Sequence, residues 1–252
     1  MSSRAQAIQD VRRRLLSPPP RSDGAELLDA PVQDTAELAA NLRDIRRVNR
    51  LLGGTATVLR HLPPLIDAVP PDRPVRILDL ATGSADIPVA IASWARRRGV
   101  RLRIVASDIS PDILALARRH AARHPEIMLA RLDARAVPLP DHAFDIVLCS
   151  LSLHHFGPDD AVRLLREMDR LARVGFILND LRRSRFGLVA AWLAARLTTR
   201  NRLTRHDAPL AVRRAYTPDE LRSLLKRAGV GDVGIFTHPW FRMAAVRRRE
   251  LP

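Results

Sequence analysis

Lysine is almost absent from this chain, although the chain is strongly basic. Lys226 is the only lysine, so arginine supplies 41 of the 42 basic residues that give a formal net charge of +15. Such a charge can bind the phosphates of a nucleic acid. Aromatic residues, which stack on bases, make up only 4% of the chain. We therefore interpret the charge as a bias of arginine over lysine, and we do not expect a nucleic-acid partner.

Cysteine and long apolar runs are scarce as well. The one cysteine, Cys149, excludes an intramolecular disulfide framework and a cysteine-cluster metal site. The first residues lack the apolar core of a signal peptide, and no run reaches the roughly 18 to 20 apolar residues of a membrane span. These absences predict a cytoplasmic protein.

The length and composition of the chain predict one domain with an N-terminal extension. The 252 residues, 46% of them hydrophobic, suffice for a large α/β domain with a full core. Residues 1–24 contain three consecutive arginines and three consecutive prolines, and they predict a disordered or amphipathic arm. Residues 25–252 predict a single domain, in which 25–70 form a helical cap and 181–215 form an arginine-rich lid.

A strand, a turn of small residues and a helix follow one another between residues 75 and 98. Asp79 lies at the end of the strand, and Gly83 lies in a turn whose backbone can approach a ligand closely. Such a unit places backbone N–H groups and a helix N-terminus at the carboxyl edge of a sheet. The next predicted strand ends in Asp108, and an acid there commonly accepts hydrogen bonds from two ribose hydroxyls. A nicotinamide dinucleotide and S-adenosylmethionine both fit this pattern.

The spacing within the turn favours S-adenosylmethionine. The dinucleotide fingerprint requires glycine at the first, third and sixth positions, which here are Ala81, Gly83 and Asp86. A carboxylate at the sixth position would repel a pyrophosphate, but it would tolerate a cationic ligand without phosphate. The amine and the sulfonium of S-adenosylmethionine are both positive.

The successive motifs resemble those of class I S-adenosylmethionine-dependent methyltransferases. The motifs are Ile-Leu-Asp-Leu-Ala-Thr-Gly-Ser-Ala-Asp at 77–86, Asp108, Leu132-Asp133-Ala134 and Phe-Asp-Ile-Val-Leu-Cys-Ser at 144–150. The first motif is similar to that of the ubiquinone/menaquinone-biosynthesis methyltransferases, with Ala81 and Ala85 in place of two family glycines. The resemblance implies a Rossmann-like α/β fold with a seven-stranded, mostly parallel sheet, a C-terminal antiparallel hairpin, helices on both faces and an N-terminal helical cap.

The resemblance also implies a set of cofactor-binding residues. Asp108 would hold the ribose hydroxyls, Gly83 would lie against the methionyl portion, and Asp133 would accept from the adenine amino group. Asn49 and Arg50, on a helix ahead of the first strand, would face the same site. The predicted set comprises Asp79, Ala81, Thr82, Gly83, Asp86, Asp108, Ile109, Asp133, Ala134 and Ser150.

Histidines supply the candidate catalytic bases. The predicted fourth strand leads into His154 and His155, and ligands of open α/β sheets lie beyond the carboxyl ends of the strands. Because neighbouring residues of an extended chain face opposite sides, we expect one ring to point inward and the other away. We rank His155 first, His154 second, and His206, which precedes Asp207, third.

A metal ion is not expected at this histidine pair. The pair could bind one, but no acid or cysteine near it in sequence completes a site. Asn179 and Asp180 resemble the Asp/Asn pair of metal-dependent catechol-type O-methyltransferases. Those enzymes need a further carboxylate where this chain has Ser150 and Ser152, so we predict no metal.

The segment 181–215 holds nine arginines and a single acid. Its apolar stretch, 186–195, predicts a helix with basic flanks. A lid over an apolar pocket, a helix on an anionic membrane surface and a buried connecting helix all remain open. Asn179, Arg182 and Arg183, at the end of the fifth strand, are the candidate substrate-binding residues.

These patterns predict a methyltransferase of secondary metabolism. Its acceptor would be a hydrophobic small molecule, such as a quinol precursor or an aromatic polyketide, methylated on oxygen or carbon. The alternatives are an NAD(P)-dependent oxidoreductase and a basic RNA- or membrane-binding module without activity. Either a monomer or a homodimer fits the sequence.

Overall fold

The computed structural model describes residues 17–30 and 34–249. The predicted arm at 1–16 lies outside these residues. Residues 17–24 do not form a separate arm, because they are hydrogen-bonded to the domain. Arg21 donates from Nε to the carbonyl of Arg214 at 2.8 Å and from Nη2 to the carbonyl of Phe156 at 2.9 Å. The N-terminal segment therefore belongs to the folded domain from residue 17 onward.

Seven strands and nine helices form the described part of the domain. The strands are β1 Val75–Leu80, β2 Leu102–Asp108, β3 Ile127–Arg131, β4 Phe144–Ser150, β5 Ala172–Leu181, β6 Val233–His238 and β7 Arg242–Arg248. The helices are α1 Thr35–Leu51, α2 Gly54–His61, α3 Pro63–Ile66, α4 Asp86–Arg97, α5 Pro111–Ala121, α6 Pro158–Leu171, α7 Arg185–Thr198, α8 Arg202–Arg214 and α9 Pro218–Ala228. Short 3₁₀ turns occupy Leu27–Asp29 and Leu153–His155.

The strands form one sheet in the order β3-β2-β1-β4-β5-β7-β6. Strands β1 to β5 are parallel, and β7 runs antiparallel to both β5 and β6. The predicted fold class is confirmed. Strands β2 and β3 lie on one side of β1, and β4 and β5 lie on the other, so the order in which strands are added to the sheet changes direction at β1. Open α/β sheets bind their ligands at such a point.

Apolar runs bury the central strands on both faces, as expected for parallel strands covered by helices. On one face, Leu78, Val147 and the fully buried Cys149 pack with the apolar sides of α6 and α9. On the other face, Ile77 and Ile146 pack with α2, α3 and α4. This double covering leaves the carboxyl edge of the strands as the place where a polar site can form.

Strand β5 includes two polar residues, Asn179 and Asp180, near its end. The strand continues through them to Leu181 because they pair with Ala244 and Met243 of β7. The pairing holds these two polar residues inside the sheet. Asn179 is fully buried and Asp180 almost so.

The arginine-rich segment forms two helices, α7 and α8. Only Gly187 and Ala195 of α7 are buried, so the reading of this stretch as a buried connecting helix is wrong. The small residues of α7 face a cavity, and its large apolar residues are exposed. Within the described residues, no helix combines the length and the apolar character needed to cross a bilayer.

Candidate functional site

A cavity of about 1090 Å³ opens at the carboxyl edge of the sheet. Its floor is formed by the residues that follow β1, β2, β3 and β4, and α1, α7 and α8 cover it. Ligand pockets commonly measure roughly 300 to 1,000 Å³. The volume is therefore large enough for a nucleotide-sized cofactor together with a small acceptor.

The turn after β1 adopts an unusual backbone. Ala81, Gly83 and Ala85 all have positive φ, at 52°, 56° and 58°. Glycine adopts this left-handed region freely, whereas an alanine there costs roughly 1 kcal/mol. Ala81 and Ala85, which stand where the family has glycine, therefore strain the backbone of this turn. A Cβ on Gly83 would have no neighbour within 4 Å, so the space beside this turn is open.

Asp108 ties this turn to the end of β2. Its Oδ2 accepts from the backbone N–H of Gly83 at 3.0 Å, and its Oδ1 accepts from that of Ser110 at 3.1 Å. Burial raises the pKa of Asp108, and these backbone hydrogen bonds act in the opposite direction. Each carboxylate oxygen keeps a further lone pair for a ligand.

Asp79 has one oxygen without a partner. Its Oδ2 accepts from the hydroxyl of Thr82 at 2.6 Å, whereas the buried Oδ1 has no hydrogen-bond partner among the described residues. Burial raises the pKa of Asp79 to about 7; the Thr82 hydroxyl opposes the shift, and the charges of Asp86 and Asp108 add to it. Three carboxylates at one end of a cavity favour a cationic ligand.

Replacing Asp79 by asparagine is expected to stabilise the ligand-free protein above pH 7. The folded-state pKa of about 7 exceeds the ordinary value of 3.8, so ionisation of Asp79 opposes folding. The resulting loss of stability increases as the pH rises from 3.8 to about 7 and is complete above that pH. Asp79→Asn should raise the free energy of unfolding on the order of 2 kcal/mol at pH 8 and change it little at pH 4. Urea unfolding at both pH values measures this; equal effects at the two values would contradict it.

All ten predicted cofactor-binding residues line the cavity. Asp133 does so with its carboxylate held by the Arg135 guanidinium, at 2.8 Å between Oδ2 and Nη2. The hydroxyl of Ser150 is buried and has no partner among the described residues. Asn49, on α1, also lines the cavity and donates from Nδ2 to Asp86 at 3.0 Å.

The candidate substrate residues lie elsewhere. Arg183 is buried, and it donates to the carbonyls of Pro19 and Ala215 and pairs with Glu220, so no donor faces the cavity. Asn179 and Arg182 are not among the cavity-lining residues either. The sequence placed these residues correctly at the end of β5 but could not show that neighbouring segments cover them.

His206 is also removed from the cavity wall, and its ring is half-exposed. Its partner Asp207 is buried. The Asp207 carboxylate accepts from the backbone N–H groups of Leu27 and Leu28 at 2.8 and 3.1 Å. Asp207 therefore fastens the N-terminal 3₁₀ turn to α8.

His154 and His155 point to the same side, contrary to the expectation of opposite sides. The expectation assumed an extended chain, whereas the 3₁₀ turn at Leu153–His155 brings the two ring centres within 4.4 Å. Asp180 Oδ1 lies 2.7 Å from Nδ1 of His154, and Asp29 Oδ1 lies 2.6 Å from Nδ1 of His155. Each imidazole is thus oriented by its own carboxylate.

Glu26 lies between the two imidazoles. Its Oε1 is 3.7 Å from Nε2 of His154, and its Oε2 is 3.7 Å from Nε2 of His155. Glu26 is only 5% exposed, and burial raises its pKa to about 7, although His155 and Arg214 act to lower it. Arg214 also pairs with Asp29 at 2.8 Å. We call Glu26, His154 and His155 the histidine–glutamate cluster.

No sequence pattern indicates Glu26, Asp29 or Arg214 at the site. Glu26 lies more than a hundred positions before the histidines, and no spacing rule connects such distant residues. Burial raises the pKa of Asp29, but the hydrogen bond and charge of His155, with Arg214, lower it to about 2. Asp29 is therefore an ionised acceptor for His155 at neutral pH.

The part of the chain that forms the cofactor end of this cavity is similar to a known family of domains. Residues 77–175, which contain the turn, Asp108 and both histidines, match the family model described as a methyltransferase domain. The chain is similar to class I S-adenosylmethionine-dependent methyltransferases. The resemblance drawn from the motifs is confirmed, and it supports S-adenosylmethionine as the cofactor.

Quinone-biosynthesis methyltransferases are among the similar curated proteins. The demethylmenaquinone methyltransferase of Thermus thermophilus is 36% identical over 129 residues, which is 51% of this chain and 56% of that protein. The ubiquinone/menaquinone biosynthesis C-methyltransferase of Xanthomonas oryzae is 33% identical over 103 residues, 40% of this chain and 39% of that protein. The chain thus spans about half the length, or less, of these methyltransferases.

Solved structures of methyltransferases share the fold. Human N-acetylserotonin methyltransferase gives a TM-score of 0.62 at 17% identity, covering 89% of this chain and 61% of that chain. A SAM-dependent methyltransferase from Aquifex aeolicus gives 0.58 at 15% identity, covering 82% and 96%. At these identities the methyltransferase likeness concerns the fold alone.

Proposed function

We propose that this protein transfers a methyl group from S-adenosylmethionine to a hydrophobic small molecule. The observation that carries the proposal is the partner-free, buried Oδ1 of Asp79, which lies at the cavity end that also holds Asp86 and Asp108. A ligand with a positive amine and a positive sulfonium offsets this concentration of negative charge. A nicotinamide dinucleotide would bring a pyrophosphate to the same carboxylates.

The turn and its acids hold the cofactor in this proposal. The free lone pairs of the Asp108 carboxylate accept hydrogen bonds from the ribose hydroxyls, and Asp79 faces the cationic methionyl end of the cofactor. Ile109 provides an apolar wall beside them. The open space over Gly83 lets the ligand approach the backbone closely.

The histidine–glutamate cluster handles the acceptor's proton. When bound, S-adenosylmethionine supplies an electrophilic methyl group, whose bond to sulfur breaks with the electron pair left on sulfur as a new bond to the acceptor forms. The acceptor hydroxyl or enol must lose its proton, and His154 and His155 are the oriented basic groups at this end of the cavity. The cover formed by α7 and α8 excludes water from the transfer.

The acceptor is an aromatic or quinol-like molecule in this proposal. The inner face of α7 presents Gly187, Ala190 and Ala194, so the cover is apolar and leaves room for a flat ring. Leu42 and Val212 extend the apolar wall. Two similar proteins are named demethylmenaquinone methyltransferases, which supports the same acceptor class for this chain.

Calorimetric titration of the purified protein tests the proposed function. S-Adenosylmethionine and S-adenosylhomocysteine should each bind with a stoichiometry of one, whereas NAD, NADP and a short RNA should give no heat of binding. Binding of a nicotinamide dinucleotide in place of S-adenosylhomocysteine would favour the oxidoreductase alternative. Binding of RNA alone would favour a basic binding module.

We also propose that the outer face of α7 rests on an anionic membrane surface, from which an apolar acceptor could enter. Phe186, Val189, Leu193 and Leu197 are exposed and recur every three or four residues, so they form one apolar stripe. Exposed arginines lie near both ends of the stripe: Arg185 begins α7, Arg196 is in its last turn, and Arg200 follows it. An apolar face with basic flanks is typical of helices that lie in a membrane interface.

Flotation with lipid vesicles should separate a membrane contact from a simple lid. We expect the protein to float with anionic vesicles at low salt and to lose most of this binding in a Phe186→Ser/Leu197→Ser variant. Met128→Ser, which removes an equally exposed apolar side chain from β3, is the matched control. Failure of the wild-type protein to float would leave α7 as a cover for the cavity.

A further inference from the structure

The hydrogen bonds of His154 and His155 determine where their protons lie. An ionised carboxylate only accepts hydrogen bonds, so the contacts of Asp180 and Asp29 assign a proton to Nδ1 of each ring. A neutral imidazole with a proton on Nδ1 has its lone pair on Nε2. Both Nε2 atoms therefore present lone pairs toward Glu26.

The Glu26 carboxylate is an acceptor as well. Its two oxygens lie 3.7 Å from the two Nε2 atoms, and its buried Oε1 has no hydrogen-bond partner among the described residues. One ligand atom from each residue of the cluster lies within 4.8 Å of the other two. When Glu26 is ionised and both imidazoles are neutral, three groups that offer lone pairs thus converge without a donor between them. Such an arrangement is unfavourable unless a cation, either a proton or a metal ion, lies at its centre.

We propose that Glu26, His154 and His155 bind a divalent transition-metal ion through the Glu26 carboxylate and the two Nε2 atoms. Two histidines and one carboxylate, with coordination positions left open, are the ligands of catalytic zinc sites and of non-haem iron(II) sites. In such sites the second ring nitrogen of a ligating histidine commonly donates to a carboxylate, as Nδ1 does here. No acid near the histidine pair in sequence completes such a site, and Glu26 supplies that acid from the N-terminal segment.

The charges around the cluster favour a dication. Besides Glu26 itself, the carboxylates of Asp29, Asp180 and Asp207 lie close to the cluster. The guanidinium of Arg214 opposes Glu26 and Asp29, and the buried guanidinium of Arg242 acts on Asp180. Arg214 and Arg21 each donate two hydrogen bonds to backbone carbonyls of the 153–156 turn, and they therefore hold the histidines in place.

The inference rests on the proposed function and specifies how the acceptor loses its proton. A metal-bound hydroxide forms near neutral pH because the ion lowers the pKa of bound water. That hydroxide takes the proton of the acceptor hydroxyl and leaves as water, and the acceptor oxygen takes its place on the ion as an anion. The anion then attacks the methyl carbon. The imidazoles serve as ligands in this form of the site.

Cobalt(II) binding to untagged, chelator-treated protein tests the inference. We expect one cobalt ion per chain by calorimetry, with visible absorption bands of a four- or five-coordinate nitrogen and oxygen site. Glu26→Gln and His155→Gln should each weaken cobalt binding by 100-fold or more. The control is the double variant His61→Gln/His238→Gln, which removes the other close histidine pair, whose Nε2 atoms are 3.0 Å apart. It should bind cobalt as the wild-type protein does.

Two results would overturn the inference. One is a wild-type protein that binds no cobalt at stoichiometric concentration. The other is cobalt binding that survives Glu26→Gln and His155→Gln but is lost in the control variant. Titration of each protein with S-adenosylhomocysteine reports folding and separates the two proposals. Wild-type protein that binds this ligand but no cobalt contradicts only the metal site, whereas failure to bind the ligand contradicts the proposed function.

Discussion

Replacing His154 by alanine should lower the rate of methyl transfer by roughly 10²- to 10⁴-fold, the usual contribution of a group that handles a proton in the transition state. His154 is almost fully buried, and Asp180 fixes it through both its ring and its backbone N–H. The loss should appear in kcat, since the ring belongs to the acceptor end of the cavity. The affinity for S-adenosylhomocysteine should change by less than threefold.

The turnover of His154→Ala is measured by mass spectrometry of the methylated product with a panel of phenolic and quinol acceptors. His206→Ala is the matched control, because this half-exposed imidazole also contacts a carboxylate but does not line the cavity. It should keep near-normal turnover. Equal turnover of both variants would mean that the acceptor loses its proton without the cluster.

Replacing Asp108 by alanine should weaken binding of S-adenosylhomocysteine at least tenfold. The change removes a charge-assisted acceptor pair, worth about 2 to 4 kcal/mol. It also frees the backbone N–H of Gly83, which donates to Asp108, so the turn loses its link to the end of β2. Both effects lower the affinity for S-adenosylhomocysteine.

Calorimetry at constant pH measures the loss of affinity in Asp108→Ala. Asp159→Ala serves as the control, because Asp159 is exposed on α6 and pairs there with Arg227. A folded Asp108→Ala protein with unchanged affinity would rule out the assignment of this acid to the ribose. Circular dichroism and a cooperative urea transition establish that the variant is folded.

The cofactor end of the cavity was predictable because its determinants are local in sequence. Asp79, Gly83 and Asp86 belong to one strand–turn–helix unit, and a parallel strand must bring Asp108 beside them. The seven-stranded, mostly parallel sheet and the terminal antiparallel pair followed from the resemblance and are confirmed. A local sequence pattern was enough to predict the positions of these side chains, because two neighbouring strands define them.

The acceptor end was not predictable in the same way, because it depends on contacts between distant segments. No periodicity indicates that Asp207 receives the N–H groups of Leu27 and Leu28, or that Glu26 then reaches the histidines. The orientation of His155 depended on a 3₁₀ turn where an extended chain was assumed. The sequence assigns Arg183 to the substrate because no pattern in it indicates that distant residues cover this side chain.

The location of the cavity residues in the sequence bears on how a duplicated gene diverges under the proposed function. The turn after β1, Asp108 and the two histidines lie within 77–175, the stretch that matches the methyltransferase domain, whereas Glu26, Asp29, Asp180 and Arg214 lie outside it. Substitutions in the flanking segments then alter the surroundings of the histidines and leave the proposed donor-binding residues unchanged. Under this proposal, a duplicate acquires a different acceptor while it keeps its methyl donor.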